Sequence, residues 1–307
     1  MRKRSVQTRV GGVILDSPLI VASGVWPLER DLWPREPLPF VGAACTKGIT
    51  LEPREGNPGV RLWETPAGVL NSVGLQNGGV RSFVERDLPE MAREGVPLVA
   101  NVAPLTEEDF DPLFGALEAG AEHLAAVELN LSCPNVACGG AAWGVTAKGV
   151  SRAVALARSR WRGPLWVKLT PQAADLGATA RAAEDRGADA VVVANTWLGM
   201  AFDVERHRPA LARVVGGLSG PAIFPLALRC VWDVAGSVSI PVVGCGGVTT
   251  GNDVISMLLA GASAVEVGTA LMADLGAAKA MMEAVEGHLE RFGLDTISSL
   301  VGAGRRA

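Results

Sequence analysis

Short apolar runs rich in β-branched residues alternate along the chain with stretches whose apolar residues recur every three to four positions. The runs fall at residues 19–22, 41–46, 98–101, 125–130, 165–168, 190–194, 242–244 and 264–267. Eight of them, separated by helical patterns, predict an α/β fold, a parallel (β/α)8 TIM barrel, over a sandwich. Between the third and fourth runs, Phe110, Leu113, Phe114 and Leu117 sit at i, i+3, i+4 and i+7, one apolar face of a helix. Thr106 is the predicted cap of that helix. Glu107, Glu108 and Asp109 form its expected first turn, at the positive end of the dipole, and Gly120 its stop. A glycine that closes a helix just before an apolar strand recurs at Gly187-Ala188-Asp189-Ala190 and Gly261-Ala262-Ser263-Ala264.

Two stretches exceed a minimal barrel. Residues 50–80 and 196–220 are Gly- and Pro-bearing insertions after strands 2 and 6, where a barrel places lids over its catalytic face. Residues 6–15, with Gly11-Gly12 at their centre, predict an N-terminal β-hairpin that stoppers the opposite end. No low-complexity tract or linker divides the chain, so residues 1–307 read as a single domain.

Composition narrows the function classes. A chain of 307 residues with 49% hydrophobic content can bury a large core. Its net charge of −4 lacks the basic face that nucleic acid demands, although a small anion needs only local donors. No apolar run approaches the roughly 18–20 residues that cross a bilayer, so no membrane association is expected. The basic start Met1-Arg2-Lys3-Arg4 lacks the apolar segment of a secretory signal. Five scattered cysteines, Cys45, Cys133, Cys138, Cys230 and Cys245, show no CxxC pair and no metal-ligand spacing. They predict reduced thiols in a cytoplasmic protein, with no metal and no iron–sulfur cluster on this chain.

Lys47, Asn101, Asn130, Lys168 and Asn195 each fall at or just past the C-terminal end of a predicted strand, the end where barrel enzymes carry their chemistry. One such Asn is ordinary turn chemistry; five polar residues at one end of one barrel predict a shared binding site. Gly244-Cys245-Gly246-Gly247 follows strand 7 and Gly268-Thr269 follows strand 8. Either could be a tight turn, but on adjacent strands they match the loops that hold a phosphate in barrels. Beyond strand 4 runs Asn130-Leu131-Ser132-Cys133-Pro134-Asn135. A cysteine there can act as base or nucleophile if its pKa suits, or pack as a small hydrophobe. The polar loop around Cys133 favours chemistry over packing. Lys168 ends the run Leu165-Trp166-Val167, which buries its stem.

Over nearly its full length the sequence resembles the class 1 dihydroorotate dehydrogenases. The matching segments are Ala22-Ser23-Gly24, Thr46-Lys47-Gly48, Asn71-Ser72-Val73-Gly74-Leu75-Gln76-Asn77, residues 130–135, Val167-Lys168-Leu169-Thr170, Ala194-Asn195-Thr196, Gly216-Gly217-Leu218-Ser219-Gly220-Pro221-Ala222 and Gly244-Cys245-Gly246-Gly247. The resemblance implies FMN. Ala22, Ser23, Lys47, Asn101, Asn130, Lys168 and Val193 would line its isoalloxazine, and Gly220, Gly246, Gly247, Gly268 and Thr269 would hold its phosphate. Lys47, Asn71, Val73, Gly74, Leu75, Asn130, Asn195 and Thr196, joined by Asn135, would grip dihydroorotate or orotate. Cys133 would take the C5 proton while the C6 hydride passes to the flavin, and a fixed lysine would stabilise the anionic reduced ring.

The segments Leu51-Glu52-Pro53-Arg54-Glu55-Gly56-Asn57-Pro58 and Glu64-Thr65-Pro66-Ala67-Gly68 look like the 1B subclass. That subclass implies a homodimer, or a heterotetramer with a subunit bearing FAD and a [2Fe–2S] cluster that passes electrons to NAD. The alternatives are a class 1A homodimer reducing fumarate, or a related flavin barrel reducing another pyrimidine. Three positions depart from the family. Phe224 stands where lysine is frequent, Gly78 where proline is frequent, and Cys138 adds a second thiol near Cys133.

Overall fold

The computed structural model describes residues 5–26, 40–132 and 143–306. Cys133, Asn135 and Cys138 therefore lie outside the described residues.

Eight parallel strands close into a barrel: β1 (Leu19–Val21), β2 (Ala43–Cys45), β3 (Leu98–Val102), β4 (Leu124–Asn130), β5 (Leu165–Lys168), β6 (Ala190–Val193), β7 (Val242–Cys245) and β8 (Ala262–Val267). They neighbour one another in sequence order, and β8 pairs with β1 through Glu266↔Ile20, which closes the ring. Side chains alternate between two sides of the barrel wall, as the period of a strand requires. Outward residues such as Ala100, Val127, Leu129, Val167, Val191 and Val265 join Phe110, Phe114, Val154, Val231 and Met281 of the helices in one apolar core. Inward residues Ile20, Ala43, Val99, Ala126, Trp166, Ala190, Val192, Val243 and Ala264 form a second, smaller core within the ring.

The hairpin pairs Thr8–Val10 with Val13–Leu15, turning on Gly11 and Gly12. Both glycines have positive φ, +48° and +86°, as a two-residue hairpin turn requires. Val10 and Leu15 enter the inner core, and Thr8 Oγ1 donates to the carbonyl of Ser263 at 2.8 Å. The hairpin thus stoppers the N-terminal end of the barrel.

Several helices begin on side-chain caps: Thr146 accepts from Gly149 N, Asp175 from Ala178 N, and Thr250 with Asp253 forms a reciprocal capping box. The helix after β3 corrects the sequence expectation. It spans Phe110–Glu118, so Glu107, Glu108 and Asp109 precede it and Thr106 does not cap it. Pro112 explains the shift. It is tolerated in the first turn, but a start at residue 107 would set its ring against a preceding carbonyl deep in the helix. The Asp109 carboxylate instead accepts the N–H groups of Leu105 and Thr106, at 2.8 and 3.1 Å.

The two insertions meet. Leu62–Thr65 and Gly68–Asn71 from the first, with Trp197–Met200 and Val215–Ser219 from the second, form one four-stranded antiparallel sheet. Its central register sets Gly217 opposite Asn71 and Ser219 opposite Val69. No helix among the described residues is long and apolar enough to cross a membrane.

Candidate active site

At the C-terminal ends of the strands lies a cavity of about 630 Å³. Barrel strands supply its floor, and the four-stranded sheet contributes Leu62, Trp63, Glu64, Val69, Asn71, Gly217 and Ser219 to its wall.

Inside the ring, one level above the inner apolar core, the inward parity of the strands presents Cys45, Asn101, Glu128, Lys168, Cys245 and Glu266. The Lys168 ammonium lies 2.5 Å from Glu266 Oε2 and 3.5 Å from Glu128 Oε1. Both carboxylates are fully buried and Lys168 is 4% exposed. Burial, and then repulsion from Glu128, pushes the Glu266 carboxyl up to about 8. Against the same burial penalty, the Lys168 ammonium, then the adjoining Glu266 carboxyl and hydrogen bonds from Asn101 and Cys45, hold Glu128 below its ordinary value. Burial also works against the charge on Lys168, but the two carboxyls hold its pKa well above the usual lysine value. Cys45, Glu128 and Glu266 lie close enough to grip a metal ion, yet the Lys168 ammonium already fills the role of a cation there.

Asn101 is fully buried. Its amide donates to Glu128 Oε1, and its Oδ1 accepts from Asn130 Nδ2 at 3.1 Å. Asn130 Oδ1 then accepts from Ser132 Oγ at 2.6 Å and Ser132 N at 3.1 Å, and Asn195 Nδ2 donates to Ser132 Oγ. This chain of hydrogen bonds fixes the turn at the end of β4, immediately before Cys133.

Opposite the lysine floor is a cradle of backbone. Gly246 and Gly247 follow β7 with φ of +131° and +71°. A Cβ on Gly246 would meet Ala227 Cβ at 2.8 Å, and one on Gly247 would meet Phe224 N at 2.4 Å. Gly220, at φ +96°, packs so closely on Gly68 that a Cβ would lie 2.6 Å from its Cα. Beside them Thr269 Oγ1 donates to Ser219 Oγ at 2.9 Å. Bare backbone and two hydroxyls make an anion-binding surface suited to a phosphate.

Of the residues singled out in the sequence, Ala22, Ser23, Lys47, Asn71, Val73, Gly74, Leu75, Asn130, Lys168, Asn195, Thr196, Gly220, Gly246, Gly247, Gly268 and Thr269 line this one cavity. Asn101 and Val193 do not. Asn101 sits beneath it as the link between Glu128 and Asn130, and Val193 turns its side chain outward into the core shared with the helices.

Glu128, Glu266, Ser219 and Arg54 escaped the sequence reading as site residues. A usable signal existed for the first two. Each is a lone charge inside an apolar strand, Val127-Glu128-Leu129 and Val265-Glu266-Val267, on the parity that faces inward. Arg54 lines the cavity and donates from Nε to the Gly74 carbonyl at 3.3 Å, a link between two segments of the first insertion.

A closed parallel barrel with a polar, glycine-cradled cavity over its strand ends defines a (β/α)8 barrel enzyme. The dihydroorotate dehydrogenase family profile matches residues 5–289. The chain is 42% identical to the dihydroorotate dehydrogenase B (NAD(+)) catalytic subunit of Trichlorobacter lovleyi over 301 residues, covering 98% of this chain and 99% of that one. It is 43% identical to the protein of the same name from Desulforudis audaxviator over 297 residues, covering 97% and 96%. The crystal structure of DHODH from Eimeria tenella in complex with ferulenol superposes with a TM-score of 0.81, over 99% of this chain and 89% of that one. At 22% identity that likeness speaks for the fold alone. The chain belongs to the dihydroorotate dehydrogenase family, and membership implies a flavin.

Proposed function

We infer that this chain is the FMN-bearing catalytic subunit of a class 1B enzyme, oxidising (S)-dihydroorotate to orotate in pyrimidine biosynthesis. The observation that carries this reading is the hydrogen-bonded chain Asn195–Ser132–Asn130–Asn101, which joins the pocket's amides to the buried charges and passes through Ser132, the residue before Cys133 in the sequence. Asparagine amides offer both a donor and an acceptor, the pairing that a ring edged with amide groups needs. Lys47 and Lys168 supply positive charge to a pocket that would hold a carboxylate and an electron-rich ring. Within this reading Gly220, Gly246, Gly247, Gly268 and Thr269 hold the phosphate, and Asn71, Val73, Gly74, Leu75 and Thr196 close over the substrate.

The flavin that these residues would hold would supply the acceptor for the C6 hydride. Cys133 takes the C5 proton, because of its place in the chain: it follows the fixed turn at the end of β4. Burial pushes the thiols of Cys45 and Cys245 well up, so neither is a base at neutral pH. The name shared by the relatives supports a partner subunit that carries electrons to NAD. In this reading FAD and the [2Fe–2S] cluster reside on that partner.

Titrating the yellow oxidised protein with orotate tests the substrate. A saturable change in the flavin spectrum is expected, and no change at millimolar orotate would remove this reading. Assay with fumarate and with NAD, with and without a co-expressed partner, tests the subclass. Reduction of NAD only in the complex is expected; turnover with fumarate by the chain alone would mark a class 1A enzyme instead.

Gly247→Ala probes the cradle. The new Cβ would lie 2.4 Å from Phe224 N, and φ is +71°, a region that costs an L-residue about 1–2 kcal/mol. FMN affinity should fall about tenfold or more, read by fluorescence as flavin is released on dilution. Unchanged affinity would remove this turn from the phosphate site.

A further inference from the structure

The barrel interior holds an imbalance of charge. Among the described residues, one ammonium, Lys168, faces two carboxyl groups, Glu128 and Glu266, all nearly or completely buried. Two carboxylates and one ammonium would leave a net negative charge in a dry interior, where an uncompensated charge is among the costliest things a protein can bury. Each carboxyl also keeps one oxygen without a hydrogen-bond partner, Oε2 of Glu128 and Oε1 of Glu266. A single added proton removes both faults. It neutralises the cluster and turns one carboxyl into a donor for the other. Two carboxyls in one site, of which one cannot ionise, is the known behaviour of such pairs.

We propose that Glu128 and Glu266 share one proton beneath Lys168, and that the three residues form a neutral electrostatic floor that keeps the lysine charged and positioned under the flavin. The opposite displacements of the two carboxyls from their ordinary values agree with this. Glu128 is the member that stays ionised, since Asn101 and Cys45 donate to it. Glu266 is the member that holds the proton. The surroundings are closed on every strand among the described residues. Cys45 on β2, Asn101 on β3, Cys245 on β7 and Lys168 on β5 face the pair, while β1 and β6 offer only Ile20 and Val192. Lys47 stands farther out, in the cavity wall after β2.

The arrangement gives these residues a part that the substrate-binding residues do not have. Glu128 and Glu266 touch neither substrate nor reacting atoms; they are positioning residues acting through Lys168. Negative charge gained in the cavity above would tighten the pair's hold on its proton. Without that added charge the hold is weaker, burial and repulsion from Glu128 raising the Glu266 carboxyl to about 8. The pair would therefore take up part of a proton when the flavin is reduced, a consequence that rests on the flavin reading above.

Infrared spectra of the purified flavoprotein in H2O and D2O test the shared proton. A deuterium-sensitive carbonyl stretch from a protonated, buried carboxyl is expected at pH 6, fading as pH rises through about 8. It should be absent from both Glu128→Gln and Glu266→Gln, because the remaining carboxyl then becomes the lone counter-ion of Lys168 and ionises. A band that persists in either variant, or no band in the wild type, overturns the proposal. So does a divalent metal found at one per chain in the purified protein, for it would displace the proton. Should either variant fail to fold, the pH titration of the wild-type band decides alone. The second readout is the midpoint potential of the flavin between pH 6 and 9, expected to depend more steeply on pH in the wild type than in Glu266→Gln. Parallel slopes would overturn the coupling to the flavin. A colourless protein that still shows the band would support the shared proton and remove the flavin reading.

Discussion

Cys133→Ala is expected to bind FMN and orotate as the wild type does, yet to be reduced by dihydroorotate about 10²–10⁴-fold more slowly, the usual cost of losing a general base. The expectation follows from how the site divides its work. On the proposed reading Asn130, Asn195 and the lysines hold and polarise a ring, and neither Asn130 nor Lys168 is available to take a proton. Asn130 spends its oxygen on Ser132, and Lys168 is kept protonated by its two carboxyls. Removing the thiol should leave binding intact and remove only the proton acceptor. Rapid mixing of the oxidised variant with dihydroorotate, followed at the flavin band, reads the step directly. A wild-type rate would take Cys133 out of the mechanism. Cys133→Ser should recover activity as pH rises, since a hydroxyl is the weaker acid.

Lys168→Met should be the most damaging change to the fold among the pocket residues. Methionine matches the volume but leaves Glu128 and Glu266 without their cation. Breaking a buried pair by deleting one partner typically costs about 3–5 kcal/mol, which for a chain of this size lowers the melting temperature by on the order of 10 °C. The loss should depend on pH in a defined direction. Without the ammonium both carboxyls hold protons more tightly in the folded protein than in the unfolded chain. A group with a raised folded pKa stabilises the fold fully below its unfolded value and loses that contribution as pH rises. The variant should therefore be closest to wild type near pH 5 and farthest from it near pH 8. Melting curves at the two pH values decide the matter. An equal deficit at both would show that the lysine matters for its packing rather than its charge.

The barrel was legible because its signal is local and repeated. A strand such as Val191–Val193 announces itself within a few residues, and Gly246-Gly247 marks its turn by composition alone. The apolar face locates the helix at Phe110 but not its start, because acidic residues suit both a first turn and the loop before it, and Pro112 sets the later beginning. The sheet formed by the two insertions was not legible at all. Pairing of Asn71 with Gly217 joins residues far apart in the chain, and neither short strand carries a pattern that names its partner. The strand-end residues Asn130, Lys168 and Asn195 could be found because a polar residue ending an apolar run stands out. Glu128 and Glu266 stood out in the same way, but they lie inside their strands rather than at the ends, where attention to catalytic placement does not look. Asn101 reads from the sequence as a pocket residue. Its partners place it one level lower, a distinction that depends on which side chains it meets in space.

The hairpin beneath the barrel also sets the traffic through it. Among the described residues, Val10 and Leu15 pack with Trp166 and its neighbours to close the hairpin end of the barrel, and the inserted sheet rims the cavity at the other end. On the proposed reading, a small electron acceptor that used the orotate pocket would compete with orotate for one berth, and turnover would follow a double-displacement pattern with mutual inhibition. Electrons drawn off through a docked protein need no such queue, and orotate would then leave the rate of acceptor reduction untouched except through its own re-entry.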